Sequence, residues 1–166
     1  MSFGRVLRAT LFIALSAATL SAQKMSADES MIRAARDYSN RAIAKHDTSA
    51  LASVWLAEYS SVSSTNAQNG GREAARVSFA GLIKDRPDVI YVRETRAVSV
   101  NPRWGQAGES GKWTGKWTQK DGVTKVGGEY YAKWKKVDGR WMLLTEVFVQ
   151  TSCSGTSYCA APPVLK

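Results

Sequence analysis

Two glutamates stand where a carboxylate could do acid–base work. Glu109 begins the run ESGKWTGKW, residues 109–117, and shares strand parity with Trp113 and Trp117. Among tryptophans, desolvation would raise its pKa. A raised carboxylate is the usual general base for taking a proton from carbon. Glu146 lies mid-strand in TEVFV, a costly place for an unpaired charge. Arg93 is a candidate partner for it and a candidate ligand-binding residue. Structural readings stand beside both. Glu146 can pair with an arginine across the sheet, and Glu109 can sit on the exposed start of its strand, because parity flips at a bulge. Tyr91, Tyr130 and Tyr131 are candidate donors to a ligand carbonyl. Trp55, Trp113 and Trp117 are candidate stacking surfaces for a flat ligand. Trp134 and Trp141, beside a hairpin turn, read as core.

Other chemistries lack their residues. The chain has one histidine, His46, and two cysteines. That set makes no zinc site, so neither a metal nor a cofactor is expected. His46 follows a predicted helix and reads as a terminus residue favoured by the helix dipole. Cys153 and Cys159 are six apart near the end, without C-x-x-C spacing. In an oxidising compartment they pair and close a small loop.

The compartment comes from the first 22 residues. Arg5 and Arg8 precede the apolar run ATLFIALSAATL, which is too short for a membrane span, and Ser21-Ala22 follow. This is the pattern of a secretory signal peptide cut near Ala22, giving an exported protein, periplasmic or secreted. The remainder divides into a domain over 23–150 and a disulfide-closed tail over 151–166. The whole chain carries +9. Without Arg5 and Arg8, 21 basic residues face 14 acidic ones, a net of +7. A nucleic-acid surface needs aromatic platforms on the basic face. Here Lys112, Lys116, Lys133, Lys135 and Lys136 could form a basic face, but the tryptophans sit mostly on the opposite parity. The expected reading is a solvated basic face, weakly attracted to anionic envelope surfaces, with no nucleic-acid partner.

Helices and strands must position these groups. Ser26 and Glu29 fit a capping box for a helix over about 27–45. Its stripe is Ile32, Ala35, Ser39, Ala42 and Ile43. Asp47 caps a short second helix carrying Leu51, Val54 and Trp55. Tyr59–Ser63 reads as a strand and Asn66–Gly71 as a loop. Ala75, Phe79, Leu82 and Ile83 mark a third helix. Four long strands follow, from Val89 to Val149. Asp138-Gly139 supplies the strongest hairpin signal among them. The last strand is apolar on both parities and is expected to be covered on both faces. Glycines at 111, 115, 127 and 128 predict bends in a strongly curved sheet.

This order, with GKWTGKW, GEYYAKWKK and VDGRWMLL, resembles the nuclear transport factor 2-like superfamily, in its SnoaL-like and uncharacterised exported bacterial branches. The resemblance covers about Glu29–Val149. It implies an α+β cone, a curved antiparallel sheet around three helices with an apolar pocket open at one end. It also implies homodimers formed through the sheet. Enzymes of the superfamily include ketosteroid isomerase, scytalone dehydratase and polyketide cyclases, while other members only bind ligands or assemble partners. This chain departs from the enzymes: no histidine and no aspartate falls inside a long strand. An acid–base mechanism would rest on Glu94, Glu109, Glu129 or Glu146. The leading expectation is therefore a protein that binds a small apolar or aromatic molecule. The alternatives are an isomerase, dehydratase or cyclase, and a homodimeric interaction module.

Overall fold

The computed structural model describes residues 25–160. Residues 1–24, where the expected signal peptide falls, and residues 161–166 lie outside the described residues. Helix α1 spans Ala27–Ala44, and the Ser26 side chain accepts from the Glu29 amide at 3.1 Å. Helix α2 spans Thr48–Ala52, with Asp47 capping the Ala50 amide at 2.8 Å. Strand β1 runs Trp55–Val62 and the short β2 Gln68–Gly70, followed by helix α3 over Arg72–Asp85. The long strands are β3 (Ile90–Asn101), β4 (Gln106–Gln119), β5 (Gly122–Val137) and β6 (Arg140–Ser154).

The six strands form one sheet in the order β2-β1-β6-β5-β4-β3. Neighbours are antiparallel except β1 and β6, which run parallel. The sheet is curved and unclosed, and α1 and α3 pack on it. Bulges between Thr95 and Ala97, at Gly127-Gly128 and beside Trp134 bend the long strands. Gly115 makes room of another kind, since a Cβ there would overlap the Tyr91 ring. Asp138 and Gly139 both take positive φ, as a two-residue hairpin requires.

The parity argument holds along β4 and β5. Trp113 and Trp117 are buried and Lys112, Thr114 and Lys116 exposed; Tyr130, Ala132 and Trp134 are buried and Lys133 and Lys135 exposed. Three other expectations do not hold. Trp55 begins β1 instead of ending α2, because Leu51 and Ala52 already fill the buried side of a five-residue helix. The expected loop contains β2, paired with β1 from Ser60↔Gly70 to Val62↔Gln68. Strand β6 is not covered on both faces. Lys133 pairs with Thr145 and Trp134 with Leu143, so Leu144 is an extra residue and parity shifts there. Beyond it Glu146 is buried, while Val147 and Val149 are exposed. The 151–166 boundary also cuts through β6, which continues to Ser154 and so includes Cys153.

Candidate functional site

Arg36 is the centre of the buried polar structure. It lies four residues after Ile32, on the inward stripe of α1, and is 0% exposed. Its Nε and Nη2 donate to Glu109, the shortest contact being 2.8 Å, and its Nη1 donates to Glu146 at 2.6 Å. The guanidinium also lies over the rings of Tyr130 and Trp134, 5.1 and 5.2 Å from their centroids. Burial alone would push this arginine down, yet Glu146 and Glu109 together hold it above its usual range.

Glu109 is fully occupied. Beyond Arg36 it accepts from Thr95 Oγ1 at 2.7 Å, Tyr130 OH at 2.6 Å and Trp134 Nε1 at 2.7 Å. Burial raises its pKa, as the sequence reading expects, but Arg36 and these hydrogen bonds outweigh burial and hold it below the ordinary glutamate range. The expected raised carboxylate is thus a lowered one, because a cation from α1 arrives 73 positions away in the chain. Glu109 does not line the cavity, and neither does Tyr130. The Tyr130 hydroxyl is committed to Glu109. Burial raises Tyr130 above the ordinary tyrosine range.

A cavity of about 260 Å³ opens beside this cluster. Of the residues singled out by sequence, it brings together Trp55, Tyr91, Arg93, Trp113, Trp117 and Glu146. Register explains this on β3 and β4: Arg93 pairs with Trp113 and Tyr91 with Gly115, so their side chains share the concave face. Aromatic rings line the cavity in separate groups. Tyr91 lies 6.2 Å from Trp113, Trp113 meets Phe148 edge-on at 6.1 Å, and Trp55 stacks on Tyr59 at 4.5 Å. Glu146 reaches the cavity with its second oxygen held by Tyr59 OH at 2.8 Å. Arg93 is not its partner: Arg36 takes that place, and Arg93 Nη2 donates to Ser39 Oγ. Burial, with Arg36 nearby, lowers Arg93 to about 10.

Several site residues escaped the sequence reading. Arg36 was legible as an inward position by its i+4 spacing from Ile32. Tyr59 sits at the buried parity of β1, and Phe79 on the inward stripe of α3. Tyr158 and Arg86 had no such signal. The Cys153–Cys159 disulfide ties residues 157–160 back to β6. There Tyr158 packs edge-on against Trp117 at 5.0 Å, and Arg86 lies 4.0 Å over the Trp117 ring. His46 takes no part in the cavity lining; its Nε2 lies 2.8 Å from the Val89 carbonyl oxygen.

The fold has well-matched counterparts among solved structures. A candidate scytalone dehydratase from Novosphingobium aromaticivorans superposes with a TM-score of 0.70 at 15% identity, covering 84% of this chain and 94% of its own. A hexachlorocyclohexane dehydrochlorinase, LinA-type3, from Novosphingobium barchaimii gives 0.68 at 15% identity, with 79% and 91% covered. A conserved protein from Planctomyces limnophilus gives 0.65 at 16% identity, with 75% and 97% covered. The sequence itself matches no protein-family model and no curated protein. Over the described residues the chain has the nuclear transport factor 2-like fold, an α+β cone of three helices and a six-stranded mixed sheet.

Proposed function

We propose that the chain binds a small aromatic or apolar molecule inside the cone. The observation that carries this reading is the number of aromatic rings lining the cavity, next to carboxylates already engaged by Arg36, Tyr59 and Tyr130. A general base needs a lone pair within reach of a substrate proton. Glu109 spends its oxygens on five donor atoms, which suits architecture better than proton transfer. Titration calorimetry with 2-naphthol tests the reading. One-to-one binding is expected, at least tenfold weaker in Ser78→Trp, where an exposed cavity-lining residue of α3 becomes large enough to obstruct the opening. Undiminished binding in that variant would place the ligand elsewhere.

A second reading, an isomerase-, dehydratase- or cyclase-type enzyme, draws support from the dehydratase and dehydrochlorinase names among the structural neighbours. Glu146 is the carboxylate it would use, because it alone of the two buried glutamates lines the cavity. On that reading Glu146→Gln loses turnover while ligand affinity stays within a few-fold; unchanged turnover counts against it.

We also propose that the protein works after export. The Cys153–Cys159 bond supports this, because such bonds persist in oxidising compartments. The chain recovered from the envelope or medium should then begin at Gln23, and an intact Met1 on the functional protein would refute it.

A further inference from the structure

The buried donors of the cavity describe the ligand's chemistry. Among the described residues, three buried side-chain polar atoms meet no partner: Arg93 Nε, Trp55 Nε1 and Trp117 Nε1. All three residues line the same cavity, and all three are at least nine-tenths buried. Each unmatched atom is a donor. Folded proteins leave buried donors unmatched rarely, and the cost is greatest where the group is charged. Three in one cavity call for acceptors supplied from outside the chain. Trp113, on the same wall, shows the contrast, since its Nε1 donates to the Val149 carbonyl at 3.2 Å.

The charges point the same way. Both buried carboxylates are paired with Arg36. Among the described residues Arg93 donates its side-chain hydrogen bond only to the Ser39 hydroxyl, with Glu146 nearby but bonded to Arg36, although its guanidinium is also buried. Arg86 adds a second cation to the lining, at the Trp117 end. Three arginines therefore stand against two glutamates in and around the cavity. A single negative charge on the ligand balances the set. Arginine suits that role, because its planar fork matches a carboxylate and stays charged when buried.

We infer that the cavity takes an aromatic carboxylate, whose anionic oxygens accept from Arg93 while its ring lies against Tyr91, Trp113 and Phe148. This rests on the binding reading above and adds the sign of the ligand's charge. The Trp55 and Trp117 donors mark where further acceptors on the ring are favoured.

Two isosteric probes separate the claims. Calorimetry at pH 7 compares 2-naphthoate with 2-naphthamide on the unmodified protein, then on Arg93→Met, which fills the space without the charge. The expected result is at least tenfold tighter binding of 2-naphthoate, with the preference lost in Arg93→Met. Equal affinities, or tighter binding of the amide, overturn the inference and leave the binding reading intact. A preference that survives in folded Arg93→Met also overturns it, since the charge is then read elsewhere. Failure of both probes to bind removes the binding reading and the inference together. The comparison on the unmodified protein needs no variant to fold.

Discussion

Arg36→Met should lower the unfolding free energy by about 3–5 kcal/mol at pH 7, the usual cost of removing one partner from a buried ion pair. The variant leaves Glu109 and Glu146, both 3% exposed, facing one another without the cation that joins them. Its pH dependence should also invert. In the native protein Glu109 ionises below its unfolded value of 4.5. Its stabilisation is therefore present above that value and is lost as pH falls through the folded pKa. In Arg36→Met the same carboxylate is buried and unpaired, so its folded pKa rises above the unfolded one. The sign then reverses: stability is greatest at low pH and declines as pH rises. Urea unfolding at pH 5 and pH 7.5 reads both effects. The native protein should hold or gain stability between the two, whereas the variant should lose it. Parallel behaviour would mean that Arg36 is not the cation that keeps Glu109 ionised.

Trp134→Ala should cost about 3–5 kcal/mol from the lost ring alone. Trp134 is completely buried, its ring lies under Arg36, and its Nε1 donates to Glu109. Trp134→Phe isolates the hydrogen bond and should cost about 1–3 kcal/mol, because a charged acceptor loses a donor. Neither change should alter ligand affinity much in protein that remains folded, since Trp134 is absent from the cavity lining. Chemical unfolding gives the stabilities and calorimetry with 2-naphthol gives the affinities. A Trp134→Phe variant that binds tenfold more weakly would show that the ion cluster and the cavity are one functional unit.

These two predictions also show where the sequence was sufficient and where it was not. Alternation is a local property, so the Trp113/Lys112 and Tyr130/Lys133 faces could be read directly, as could the Asp138-Gly139 turn. The fold follows from such local signals taken in order. Parity along β6 could not be followed past Leu144, because a bulge depends on how the neighbouring strand pairs and not on the residues themselves. The chemistry of Glu109 is non-local in the same way. Burial among aromatic residues is legible in the sequence, but the net shift runs the other way, downward. The opposing cation comes from α1, where Arg36 stands among Ile32, Ser39 and Ile43 and looks like a break in an apolar stripe. A charged residue at an inward helical position is itself the signal, since burial on that scale demands a partner. Trp55, Tyr91, Arg93, Trp113 and Trp117 all line one cavity, a placement that strand parity and aromatic type suggest but do not decide. Tyr130 was assigned to the cavity, yet its hydroxyl turns to the Glu109 cluster instead.

An aromatic ligand is expected to enter the cone. Nuclear Overhauser contacts between 2-naphthol and the protein's indole protons test it most directly. Contacts are expected to the rings of Trp113 and Trp117, which are 3% and 2% exposed, and none to Trp104, which is 70% exposed. Contacts confined to Trp104 and other surface aromatics would contradict it, because the ligand would then be resting on the outside of the cone.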